Sequence, residues 1–171
     1  MASREHGASL FVALIFLIIL TILGLTAMRV ATMEERMSGN SRDRSLAFQA
    51  AEAALRDAES DIEKSGRISG MTGADAACTK GLCCNVSGLT CIEPATPVYN
   101  SKNLTAAPSV KYGEYTGATP IQANGSDLPL QPRYLIEPFM PDGKNYYRIT
   151  VRGYGVNADT QVTLQEIYYK E

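Results

Sequence analysis

The sequence predicts an α+β chain. A long N-terminal helix, half of it able to span a membrane and half amphipathic, packs on a C-terminal antiparallel β-sheet. Three observations predict this. Between Glu5 and Arg29 lie 23 residues without a charge. Downstream, Phe48, Ala51, Leu55, Ala58 and Ile62 step by 3, 4, 3 and 4, which lines one face of a helix. All nine tyrosines fall between Tyr99 and Tyr169, mostly in alternating segments bounded by turn residues.

The first element runs from Ala8 to Met28 and is apolar except for Ser9, Thr21, Thr26 and glycine. At about 1.5 Å per residue it matches the roughly 30 Å hydrocarbon core of a bilayer. A secretory signal peptide has a shorter apolar core, roughly 7 to 15 residues, and a small-residue cleavage site. This run is longer and is followed by Arg29, so it reads as a retained span. Charge leaves its orientation ambiguous. Arg4 precedes it while Arg29, Arg36, Arg42 and Arg44 follow, a distribution that taken alone keeps the C-terminal part in the cytoplasm. Long domains translocate largely regardless of such charges, and the cysteines downstream favour an oxidising compartment.

The second element continues the helix. Val30, Met33 and Met37 keep helical spacing, and the seam from Phe48 to Ile62 is embedded in good helix formers, with Glu52 four residues before Arg56. Lys64 and Gly66 supply a stop signal. Ser38-Gly39-Asn40-Ser41 is the expected weak point, where a kink or local loop would form.

Residues 66–99 read as a loop-rich connector holding all four cysteines, Cys78, Cys83, Cys84 and Cys91. A bond between the adjacent Cys83 and Cys84 would strain the peptide. That leaves Cys78 with Cys83 and Cys84 with Cys91, or Cys78 with Cys84 and Cys83 with Cys91. The spacing lacks the knuckle pairs of structural zinc and has no C-x-x-C, so a disulfide staple is expected rather than a metal or redox site.

The last third, 110–171, is the sheet. Arg133–Glu137 should stop at Pro138, Asn145–Tyr154 is rich in β-branched and aromatic residues, and Gln161–Tyr169 repeats the pattern. Lys111–Tyr115 is a weaker first strand. Pro141-Asp142-Gly143 and Gly155–Asp159 are turn chemistry, so the order is an antiparallel meander. Within Asn145–Tyr154, Tyr147, Ile149 and Val151 share one face, while within Gln161–Tyr169, Val162, Leu164 and Tyr168 fall less regularly; the helix seam is available to cover the apolar face.

Composition removes whole classes of function. The chain has 171 residues, 45% hydrophobic and 20% charged, with a formal net charge of −2. His6 is the single histidine, which argues against histidine-dependent nucleophile pairs and zinc sites. From Gly66 onward the count is nine basic against nine acidic residues, so there is no electrostatic footprint for nucleic acid. Asn85-Val-Ser87, Asn103-Leu-Thr105 and Asn124-Gly-Ser126 match glycosylation sequons, and Asp127, Asp142 and Asp159 lie near turns. Both sets read as loop composition, without a calcium loop.

These residues carry a family resemblance. Gly7 directly before the apolar helix resembles a class III prepilin leader. Leu10–Leu25, the run Glu34–Leu55, Pro132–Glu137 and Tyr147–Gly155 together resemble PilX-type minor pilins of type IV pili. The resemblance implies residues 1–7 as leader, 8–28 as membrane and filament-core helix, 29–65 as its amphipathic continuation and 66–171 as the head. It implies cleavage by prepilin peptidase between Gly7 and Ala8, N-methylation of Ala8, and no catalytic residue, metal or cofactor. It further implies residence in the inner membrane with a periplasmic head, then assembly with other minor pilins and the major pilin at an extracellular pilus tip. Most pilins have glutamate as the fifth mature residue, where this chain has Val12; that absence is shared with PilX-type pilins and type II secretion K-type pseudopilins and favours a tip position. The alternatives are such a pseudopilin, or a bitopic anchor carrying a periplasmic adhesive or binding domain.

Overall fold

The structure is a computed structural model that describes residues 6–70, 73–84, 102–140 and 142–170, with side chains from Ser9 onward. The elements are α1 (His6–Lys64), β1 (Val110–Lys111), β2 (Gln122–Ala123), β3 (Ser126–Asp127), β4 (Arg133–Phe139), β5 (Tyr146–Tyr154) and β6 (Gln161–Tyr169). Two compact units emerge, Met1–Ser41 and Arg42–Glu171.

In the first unit the helix presents apolar side chains on every side from Leu10 to Met28, all exposed. α1 is long and apolar enough to cross a membrane. Its polar atoms are turned back on the backbone: the hydroxyls of Thr21, Thr26 and Thr32 donate to the carbonyls of Ile18, Leu23 and Arg29 at 2.8, 2.8 and 2.9 Å. The expected interruption at Ser38–Ser41 is absent, because helical conformation runs through it. A glycine costs about 1 kcal/mol against alanine, less than breaking a helix that propagates on both sides.

In the second unit a four-stranded antiparallel sheet has the order β1-β4-β5-β6, and β2 with β3 forms a separate hairpin. Register places Tyr134 opposite Val151, Ile136 opposite Ile149 and Pro138 opposite Tyr147. These rows form one core with Ala51, Ala54, Ala58 and Ile62 of α1, while Val162, Leu164 and Tyr168 of β6 pack at its margin. On the opposite face Leu135 packs with Cys78, Cys83 and Leu104, so the connector covers β4 from the other side. Leu82 forms a parallel bridge to Ile136, and the Cys83 amide donates to the Ile136 carbonyl at 2.9 Å.

Four local expectations are corrected. The seam is rotated: Ala47, Ala50, Ala51, Ala54, Ala58 and Ile62 are buried, Leu55 is half-buried and Phe48 is 46% exposed. Small side chains allow the helix backbone close to the sheet, which a phenyl ring would hold away. β4 passes through Pro138 to Phe139, because β1 pairs only with Arg133 and Tyr134. The proline's missing N–H therefore breaks no ladder bond among the described residues. The first strand is two residues long, since turn bonds from Glu114 N to the Lys111 carbonyl and from Gly117 N to the Gly113 carbonyl curl the chain after it. β6 alternates regularly, with Glu166 on the helix-facing row and Ile167 facing out.

The β5–β6 turn is tied to α1 by Asp43, whose carboxylate accepts from Val156 N at 2.6 Å and Asn157 N at 3.4 Å. The Thr160 hydroxyl, followed by these amides, holds the Asp43 carboxyl below the usual carboxylate range. A depressed acid pKa means that this tie stabilises above the unfolded-state value near 4 and is lost as pH falls through the folded value. Asp43→Asn is expected to lower stability by about 0.5 to 1 kcal/mol at pH 7, with the difference from wild type shrinking below pH 4. Thermal melts across that range check it.

Candidate assembly site

The candidate site divides between the apolar helix surface of the first unit and the pins that shape the second. Gly7 and Ala8 lie in the first turn of α1, by backbone conformation. Val12 follows on the exposed surface, 49% accessible and surrounded in sequence by Leu10, Phe11 and Leu14. A surface of this kind is stable in lipid or against other helices, because it hides its backbone polar groups, carries no charge and offers mainly hydrocarbon outward.

Two carboxylates that look like solvated helix acids in the sequence are buried anchors in the second unit. Asp57 accepts from Gly113 N at 2.8 Å and from the Thr116 hydroxyl, and so fixes the loop after β1. Asp61, fully buried, pairs with the Arg67 guanidinium and accepts from the Tyr134 hydroxyl at 2.8 Å. Arg67 also donates to the Lys80 carbonyl at 2.9 Å and lies over the Tyr115 ring at 4.0 Å. Burial first, then the Asp61 carboxylate, raise the Tyr134 phenol well above its ordinary value, so it remains a donor. The signal was their spacing: Asp57 and Asp61 fall three residues after Ala54 and Ala58, beside the buried face.

The cysteines lie beside this network. Cys78 and Cys83 are bonded to each other across a tight turn at Thr79–Gly81. Cys84 is also disulfide-bonded, and its partner lies outside the described residues, as does Cys91. The Asn85 sequon lies outside them too. At Asn103 the side-chain oxygen accepts from Thr105 N and its hydroxyl, and Asn124 sits at positive φ between β2 and β3, so both are turn residues. Asp127 accepts from the Gln122 amide at 2.9 Å within that hairpin. Asp142 is an exposed residue in the β4–β5 connection, and Asp159 N donates to the Asn157 side chain in the β5–β6 turn.

Along the outer edge of the sheet the helix and β6 share an acidic row. Glu166 faces Glu59, with Glu52 nearby. Glu63 accepts from the Tyr168 hydroxyl at 2.7 Å and is the first cause raising that phenol to about 12. Burial, then the Glu59 hydrogen bond and charge, push the Glu166 carboxyl upward. An acid with a raised folded-state pKa contributes stability at low pH and loses it as pH rises through that value. Ionising Glu166 within this row therefore costs stability as pH rises.

Comparison with known families matches residues 6–56 to the PilX N-terminal family and residues 74–170 to the family described as type IV pilus assembly protein PilX C-term. The first match takes in the exposed apolar helix and its continuation, and the second takes in the cysteine turn, the hairpin and the whole sheet. No curated protein and no solved structure matches the chain. With both family models covering most of its length, the chain belongs to the PilX family of type IV pilus assembly proteins.

Proposed function

We propose that the protein is a minor pilin of the type IV pilus, held in the inner membrane until it is assembled with other minor pilins and the major pilin into the pilus tip. The observation that carries this reading is an exposed, predominantly apolar and charge-free helix surface starting beside Gly7 in a chain of the PilX family. Residues 1–7 are the leader, removed by prepilin peptidase between Gly7 and Ala8, and Ala8 is then N-methylated. Residues 8–28 are the membrane and filament-core helix, 29–65 its amphipathic continuation, and 66–171 a head that is periplasmic and then extracellular. The Cys78–Cys83 disulfide suits that oxidising side.

The mechanism is transfer between two water-free environments. The helix leaves lipid for the core of a helical bundle and exposes no backbone polar group on the way. Val12 fits a subunit with no neighbour above it. A carboxylate there would cost about 2.5 to 3.5 kcal/mol in the membrane, and at the tip no amine of a higher subunit would offset it. The protein's work is thus assembly by packing, without a chemical step.

Gly7→Leu is expected to block processing and leave the protein in the inner membrane. Intact-mass analysis of the wild type should give a chain starting at Ala8 with an added methyl group, and Gly7→Leu should give the unprocessed mass. Unprocessed wild-type protein in purified pili would refute the pilin reading. Regular labelling of wild-type protein along the shaft would refute the tip assignment alone.

A further inference from the structure

We propose that the edge of β6 left without a partner strand among the described residues is a docking site for an extended strand of another protein that carries lysine or arginine at alternate positions, facing α1.

β6 ends the sheet order, so one full side of a nine-residue strand has no partner strand among the described residues. Natural sheets blunt such edges with proline, lysine, bulges, very short strands or an inward-pointing charge. Gln161–Tyr169 contains no proline, glycine or lysine, and it pairs with β5 in unbroken register from Tyr146–Tyr169 to Tyr154–Gln161. Its outward side chains leave room, since Ile167 is 60% and Tyr169 41% exposed. The edge is long and straight in register, the geometry that strand addition uses, and among the described residues its guard is the inward-facing charge of Glu166, which a partner bearing a cation would satisfy.

Charge selects the occupant. On the helix side the edge is flanked by Glu52, Glu59 and Glu63 of α1, which fall on one helix face, and by Glu166 of β6, which stands on the helix-facing row between Leu164 and Tyr168 and interacts with Glu59. Two cations adjoin this row: Arg56, four residues after Glu52 and three before Glu59 on the exposed side of α1, and Lys170 at its end, which donates to the Ile62 carbonyl at 2.6 Å. A strand added about 4.8 Å beyond β6 would send every second side chain toward these carboxylates. Lysine or arginine there would relieve the repulsion. A second copy of β6 would bring a second acidic row against the first, so self-pairing is opposed. The outer row, Gln161, Thr163, Gln165, Ile167 and Tyr169, is uncharged and calls for neutral side chains on the partner's other face.

The aromatic row Phe139, Tyr146 and Tyr169 on the outer face does not offer an equal site. Its rings stand against one another at 5.6 and 5.2 Å and against Arg148 and Lys144, so their faces are already covered.

The docking site lies wholly in the second unit and stands whether or not the pilus reading does. It is tested with the full-length protein in neutral detergent, using the nonapeptide Thr-Lys-Thr-Lys-Val-Lys-Thr-Lys-Thr as probe, read by hydrogen exchange of the β6 amides. The lysine peptide should slow exchange in β6 selectively. Its glutamate twin and a version with central proline should not. Glu59→Gln with Glu166→Gln, which removes repulsion and keeps the fold, should weaken peptide affinity about fivefold. Unchanged β6 exchange with the lysine peptide would overturn the proposal. So would equal protection by the glutamate or proline peptides, unchanged affinity in the double variant, or concentration-dependent protection of β6 without any peptide.

Discussion

Gly153→Ala is expected to destabilise the head by about 3 kcal/mol or more, although the same exchange at an open strand position is neutral or favourable. Gly153 is the penultimate residue of β5, at the point where α1 comes closest to the strand through Ala47 and Ala51. A Cβ built there would overlap the Ala47 carbonyl oxygen and the Ala51 amide nitrogen, and would stand 2.8 Å from the Ala51 Cβ. Two of the three obstacles are helix backbone, which cannot step aside as a side-chain tip can. The helix must lift off the sheet, and with it the contacts of Ala47, Ala50, Ala51 and Ala54. The extra atom that matters is the Cβ, so Gly153→Val should cost only somewhat more than Gly153→Ala. Ala51→Gly removes one obstacle of three and should rescue only part of the loss. Thermal denaturation of the full-length protein should show a drop of about 10 °C for Gly153→Ala. An unchanged midpoint would mean that helix and sheet stand further apart than described.

The same contact explains what the sequence could and could not disclose. Period 3.6 before Gly66 and period 2 after Arg133 identify the helix and three of the four strands of the main sheet, because burial on one side imposes those periods whatever the partner is. Which helical stripe faces inward is a different matter. Phe48 and Leu55 look like the natural core because they are large, yet the sheet approaches where the helix is thinnest, along alanines that meet a glycine 102 residues later in the chain. Nothing local to Phe48 records that distant absence of a side chain. Glu166 makes β6 look irregular for a similar reason, since its neighbour is another acid on α1 rather than anything in its own strand.

Function was more legible than its details. The charge-free run after Gly7 and the segments around Leu55 and Arg133 carry the family likeness, because a helix that must suit both lipid and a protein core has few acceptable compositions. The cysteine pairing was open from spacing alone, since both arrangements close short loops. The turn at Thr79–Gly81, with Cys78 and Lys80 at positive φ, brings Cys78 to Cys83. That geometry belongs to the folded connector, which is held by Leu82 and Cys83 against Ile136.

Asp61→Ala should cost about 3 to 5 kcal/mol, comparable to Gly153→Ala but by an electrostatic route. The carboxylate is fully buried and serves two donors at once, the Arg67 guanidinium and the Tyr134 hydroxyl at 2.8 Å. Removing it leaves Arg67, whose side chain is only 14% exposed, without its counter-ion, and leaves a phenol in the core without an acceptor. Arg67 in turn holds the Lys80 carbonyl beside the disulfide and covers Tyr115, so the damage should spread from the helix end into the connector and the loop after β1. Tyr134→Phe removes one donor and leaves the ion pair intact, so its cost should be only about 1 kcal/mol. Asp61→Ala combined with Arg67→Ala should cost clearly less than the sum of the two single changes, because the second removes the charge that the first leaves stranded. Strict additivity in that double-mutant cycle, measured by denaturant melts, would show that Asp61 and Arg67 do not act as a pair. Hydrogen exchange offers a separate check: Asp61→Ala should free the amides around Lys80 while leaving β5 protected. A uniform loss of protection across the sheet would instead mean that the pin holds the whole head together, and not the connector alone.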